Sequence, residues 1–157
     1  MKVKLLCIGK TEKKFLVEGE KEYEKRLQKY ISFEKIEIND IKNAKNYSEE
    51  QLKGKEGELI LDKVQSTDFL VLLDERGKMY SSLKFADFLQ QCFLRGNKNL
   101  IFVVGGPYGF SKAVYDRANE KISLSSMTLS HQMIRLFFIE QVYRGMTILK
   151  NEPYHHE

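Results

Sequence analysis

The chain has 157 residues, 42% hydrophobic and 31% charged, with only 2 Pro and 2 Cys. That length suits one domain, residues 1–157, with a core of its own, and the composition excludes a collagen-like chain, a disulfide scaffold and a disordered polar segment. Lys and Arg number 26 against 22 Asp and Glu, a net charge of +4 that permits an anionic partner without demanding one.

In chain order, Met1–Gly9 is short, apolar and closed by a glycine, which predicts a buried strand. Thr11–Tyr30 carries Phe15, Tyr23 and Leu27 at helical spacing among Lys and Glu, which predicts a surface helix. Phe33–Ile38 alternates apolar and charged residues and reads as a half-exposed strand; Asp40–Tyr47 reads as a loop. Ser48 with Gln51 three residues on has the capping-box spacing, although Gly54 and Gly57 weaken the helix that follows. Asp68–Asp74 and Asn99–Val104 are near-continuous apolar runs, as expected of parallel strands buried on both faces. Glu75–Lys78 reads as a turn, Ser81 or Ser82 as the cap of a helix bearing Phe85, Leu89, Cys92 and Phe93, and Ser111 as the start of another helix. Ile122–Leu124 is a short strand candidate. Ser130 then caps a long helix to about Leu149, and the tail follows from Asn151. Strands alternating with helices predict an α/β fold with a mostly parallel sheet flanked by helices.

No apolar run approaches the ~18 residues of a membrane span, and Val3–Ile8 is too short for a signal-peptide core, so no membrane partner is expected. Cys7 and Cys92 stand apart in apolar surroundings and read as buried thiols, which makes a reducing, cytoplasmic setting the default. In open α/β sheets ligands bind beyond the carboxyl ends of the strands. The stronger candidate there is Val104-Gly105-Gly106-Pro107-Tyr108-Gly109, which matches neither a dinucleotide fingerprint nor a phosphate loop and reads as a tight strand-to-helix turn or as a backbone cradle for a nucleotide-like ligand. Asp74 and Glu75 are neighbours on a strand end and point to opposite faces, so they read as turn-forming or solvated charges rather than a cooperating pair. Ile122–Leu129 is rich in hydroxyls and reads either as a site for an uncharged polar edge such as adenine or as a strand followed by a helix cap.

The last helix is apolar nearly all round: Ile134, Phe138 and Val142 on one side, Leu136, Ile139 and Tyr143 on another, Met133 and Phe137 on a third. Such a helix is expected to face both the core and a second subunit, with a two-fold dimer as the commonest closed assembly. His131 and Arg135 share a face near its start, and an Arg there suits phosphate. Tyr154, His155 and His156 in the tail lack a metal-ligand set at standard spacing, so no metal is expected; an aromatic, basic tail suits contact with a nucleic-acid base.

Four segments, LLDERGKMYSS, IFVVGGPYGFS, ISLSSMTLSHQMIRLFFIEQVYR and the closing EPYHHE, together resemble the ribosomal RNA large subunit methyltransferase H family, the pseudouridine N3-methyltransferases of the SPOUT class. The likeness covers essentially the whole chain. It implies a C-terminal trefoil knot, a homodimer and S-adenosyl-L-methionine as methyl donor. It implies that Leu73, Gly105, Gly106 and the run Leu124, Ser125, Ser126, Met127, Thr128 and Leu129 bind that cofactor. The implied reaction is methyl transfer to N3 of a pseudouridine in large-subunit ribosomal RNA. His131, Tyr154 and His155 are candidates for accepting the N3 proton, Arg135 and Arg144 for holding RNA or ordering the tail, and His156 for contacting substrate. A charge of only +4 is small for a protein gripping naked RNA, which makes the assembled ribosome the expected partner.

Overall fold

A computed structural model describes residues 1–156. The chain runs β1 (Lys2–Ile8), α1 (Lys14–Leu27), β2 (Phe33–Ile38), α2 (Glu49–Leu61), β3 (Phe69–Met79), α3 (Ser82–Leu94), β4 (Asn99–Val104), α4 (Lys112–Arg117), β5 (Glu120–Ser123) and α5 (Met133–Leu149). All strand pairs are parallel, in the order β2-β1-β4-β3-β5. The two most apolar strands therefore lie side by side inside the sheet, as their composition requires.

Successive strand residues face opposite sides, and the two faces sort cleanly. Val3, Leu5, Cys7, Val71, Leu73, Leu100, Phe102 and Val104 pack against α1, α3 and α5 through Leu27, Phe85, Leu89, Phe138 and Val142. Leu6, Ile8, Leu70, Leu72, Ile101 and Val103 pack against α2 and α4 through Ile60 and Val114. β4 is buried at every position. On the thicker face Phe102 and Phe138 lie with ring centroids 4.6 Å apart, and Phe85 contacts both. Such aromatic packing adds roughly 0.5–1.5 kcal/mol per pair beyond area burial.

The helix caps follow the local sequence. Ser48 and Gln51 form a complete capping box, and the Ser81 and Ser111 hydroxyls accept from the amides of Lys84 and Val114. The Ser130 hydroxyl accepts from the Met133 amide at 3.1 Å, so the turn starts at Ser130 and α5 proper three residues later. α1 begins at Lys14 rather than Thr11, and the Thr11 amide donates to the Glu37 carboxylate at 2.7 Å. Both cysteines are buried. α5 lies between α1 and α3 against the sheet, and still leaves Met133 and Phe137 exposed.

The expected turn at Glu75–Lys78 is a bulge inside β3 instead. β3 pairs with β4 up to Leu73, shifts register, and rejoins β5 through Lys78 opposite Ile122 and Met79 opposite Ser123. The Asp74 carboxylate accepts from the Arg76 amide at 2.8 Å, which curls the backbone there. Gly77 lets the two strands close up: a Cβ on it would lie 2.5 Å from the Ile122 nitrogen. Turn chemistry is present, then, but the chain does not reverse.

Gly77→Ala is expected to cost on the order of 1–3 kcal/mol, the usual range for forced overpacking. Denaturant unfolding of the variant checks this, with no loss beyond 0.5 kcal/mol (about the size of a neutral surface change) counting against it.

Candidate active site

Beyond the carboxyl ends of β3 and β4 the structure holds a cavity of about 680 Å³. That is within the ~300–1,000 Å³ typical of small-molecule sites. Three stretches of chain build it. Leu73 to Arg76 come from the bulge within β3, Val104 to Phe110 from the end of β4 and the loop after it, and Ser123 to His131 from the end of β5 and the segment joining it to α5. Glu50 and Lys53 of α2 and Lys112 and Tyr115 of α4 complete the rim.

The glycines after β4 let backbone run tight along this wall. A Cβ on Gly105 would lie 2.9 Å from the Phe110 ring, and one on Gly106 2.7 Å from the Glu56 carboxylate. Gly109 closes the loop at φ +84°, a conformation that glycine adopts without strain. The Ser123 hydroxyl donates to the Ser125 carbonyl at 2.8 Å, and the Ser125 hydroxyl accepts from the Met127 amide at 2.9 Å. These hydroxyls shape their own loop rather than standing ready for a ligand edge.

Leu73, Gly105, Gly106, Leu124, Ser125, Met127, Thr128 and Leu129 all line the cavity, as does His131, which is exposed at its mouth. Ser126 is exposed and outside the lining. Arg135 stands apart from the cavity: it is fully buried and bonds to protein carbonyls, so the phosphate-facing position expected from its spacing is corrected. His131 and Arg135 do belong to one end of α5, but one meets water and the other the interior.

The tail forms a second cluster. The Tyr154 hydroxyl donates to Glu140 at 2.9 Å and lies 3.3 Å from the Tyr23 hydroxyl. Arg144 donates to Glu140 at 2.6 Å, approaches the His155 Nδ1 at 3.1 Å, and stacks over the Tyr154 ring. Burial, with the bonds to Tyr23 and Glu140, holds the Tyr154 phenol far above its ordinary value, so it is a poor proton acceptor in this arrangement. Glu140 lies on α5 roughly 13 Å along the helix from His131, at ~1.5 Å per residue. None of Arg144, Tyr154, His155 and His156 lines the cavity of its own chain.

Two residues not singled out as site candidates sit in the wall. The Tyr115 hydroxyl donates to the Asp74 carboxylate, and burial followed by that bond pushes the phenol up to about 12. Asp74 thus has two partners instead of being a loose turn charge. Its place at the end of an apolar strand was a usable signal; Tyr115 carried none beyond its position on a short helix. Among the described residues no group of three or more His, Cys, Asp or Glu could hold a metal. No helix there is long and apolar enough to cross a membrane.

The family model described as "Predicted SPOUT methyltransferase" matches residues 1–155, and the chain belongs to the SPOUT methyltransferase family. It is similar to the ribosomal RNA large subunit methyltransferase H of Christiangramia forsetii, with 62% identity over 99% of each chain. The proteins of the same name from Parabacteroides distasonis and Flavobacterium johnsoniae are 61% and 59% identical over the full length of both chains.

Glu56 gives a testable electrostatic consequence. Burial, and then repulsion from Asp40, raise its carboxyl above the ordinary range. A raised carboxylate penalises the folded state near neutral pH, and the penalty disappears as pH falls through the folded value towards the unfolded one. Glu56→Gln is therefore expected to raise Tm near neutral pH, with the gain shrinking towards about pH 4, where model carboxyls titrate. A gain independent of pH in thermal scans would contradict this origin.

Proposed function

We propose that this protein transfers a methyl group from S-adenosyl-L-methionine to N3 of a pseudouridine in large-subunit ribosomal RNA. It does so as a homodimer on the assembled ribosome, in the cytoplasm. The observation that carries the reading is the convergence of three separate segments on one cavity, in a chain matched end to end by methyltransferases. The wall suits a nucleoside. Gly105 and Gly106 expose backbone where any side chain would collide with Phe110 or Glu56. Leu73, Leu124, Met127 and Leu129 add apolar surface, while Thr128 adds a polar group. Ser126, expected among the binders, stays outside. The C-terminal trefoil knot of the family is part of this proposal.

The methyl donor, when bound, supplies an electrophilic carbon on a sulfonium. The residues of the chain must then hold donor and acceptor in line and exclude water, which is where most of the rate gain arises. They must also receive the N3 proton. His131, which lines the cavity and is exposed at its mouth, takes this role in the proposal. Tyr154 and His155 reach a cavity only if a second subunit presents its tail there. Met133 and Phe137, apolar and exposed on α5, support such a subunit contact. Arg144 orders the tail through Glu140 and the Tyr154 ring. His156, exposed at the end of the described chain, is free to meet RNA. With a net charge of +4, the protein gains binding from ribosomal surfaces beyond its own phosphate contacts.

Mass mapping of ribosomal RNA from cells lacking the protein is expected to show one pseudouridine without its methyl group; an unchanged map would sink the proposal. In vitro, transfer to intact ribosomes should far exceed transfer to naked RNA, and equal rates would remove the ribosome from the reading. His131→Ala is expected to lower turnover by ~10²–10⁴-fold with cofactor affinity retained, the span usual for general acid–base groups. Unchanged turnover would remove His131 as the proton acceptor.

A further inference from the structure

Arg135 heads the fully buried side chains by size, at 0% exposed. Its guanidinium serves two distant stretches of backbone at once. Nε donates to the His131 carbonyl at 2.9 Å. Nη1 donates to the Gly9 carbonyl at 2.9 Å and the Thr11 hydroxyl at 3.1 Å, and Nη2 to the Ile8 carbonyl at 2.8 Å. A buried cation is costly unless paired and fully bonded. Here Glu37 lies 3.7 Å from Nη1, and Glu37 in turn holds the Thr11 amide and approaches Lys35, which is bonded to buried Glu20. Two cations and two carboxylates thus neutralise one another beneath the end of β1.

A second clamp runs alongside. Gln132 accepts from the Glu12 amide at 2.8 Å and donates to the Lys10 carbonyl at 3.0 Å. Between them, Arg135 and Gln132 tie residues 8–12 to the turn at His131 and Gln132. The other side of that turn is cavity wall, formed by Thr128, Leu129, Ser130 and His131. Only a planar fork can reach carbonyls on both sides; a lysine ammonium in the same place is a point donor.

We propose that Arg135 is a positioning residue for the cavity. It touches no ligand, but by gripping the carbonyls of Ile8, Gly9 and His131 it holds the Thr128–His131 wall where a bound nucleoside meets it. The inference rests on the reading of this cavity as the methyl donor's site. Supporting shells of this kind decide whether a site is held tightly enough to work.

The test is calorimetry with S-adenosylhomocysteine, the demethylated donor, on the full-length protein, with Tm measured on the same samples. Arg135→Lys keeps the charge and loses the fork; it is expected to bind at least tenfold more weakly than wild type. Glu20→Gln loosens the same buried network on the far side of Lys35. It is expected to lower Tm while leaving affinity within twofold. Should Arg135→Lys fail to fold, Gln132→Ala carries the test at a half-buried position, with an expected three- to fivefold loss of affinity. A folded Arg135→Lys, or in its place Gln132→Ala, that binds like wild type despite a lower Tm overturns the inference. So does a loss of affinity in Glu20→Gln that tracks Tm, since the effect would then be general destabilisation. If wild type itself does not bind, the donor reading falls and this inference with it.

Discussion

The burial of β4 on both faces is the constraint on which the rest of the molecule depends. Six consecutive residues without water must have neighbours on two sides of the sheet and two strands beside them. A parallel strand of this kind cannot lie at an edge, and its helices cannot be confined to one face. β4 can meet a ligand only beyond its ends. The cavity accordingly lies at the carboxyl edge, where the β3 bulge meets the chain leaving β4 and β5. The wall there combines backbone and apolar side chains with a charged stretch, Asp74 to Arg76, at the β3 bulge.

Much of this was legible in advance, for local reasons. Apolar runs announce doubly buried strands; Ser48, Ser81, Ser111 and Ser130 announce helix starts because a hydroxyl three residues before an amide is a fixed piece of geometry. A glycine cluster and a hydroxyl-rich run mark loops where backbone is approached closely. The bulge in β3 was not legible. Asp74 to Gly77 carry the chemistry of a turn, and the same chemistry serves a bulge. The deciding fact, the approach of the Ile122 backbone to Gly77, lies more than forty residues away in the chain.

The passage from the Ser130 turn into α5 shows the other limit. His131 and Arg135 share a face by spacing, and spacing says nothing about whether that face is wet. The partners that draw Arg135 inward are carbonyls of Ile8, Gly9 and His131. Every residue carries a carbonyl, so no pattern of side chains could have named them. The tail was legible as an aromatic and basic group, but not its docking on Glu140 and Tyr23, which depends on α1 and α5 lying together. Geometry thus separates what composition had grouped: one histidine at the mouth of the cavity, and a tyrosine–arginine cluster some turns further along the same helix.

The two thiols carry a practical consequence. Burial pushes Cys7 up to about 12 and Cys92 up to about 11. The thiolate is the nucleophile towards alkylating and oxidising reagents, and burial disfavours that form of both groups. Access is blocked as well, by the sheet for one and by α3 packing for the other. Modification of the folded protein therefore waits on opening, and each cysteine clocks a different opening. Cys7 reports on separation of a central strand, Cys92 on release of the helix that leads into β4.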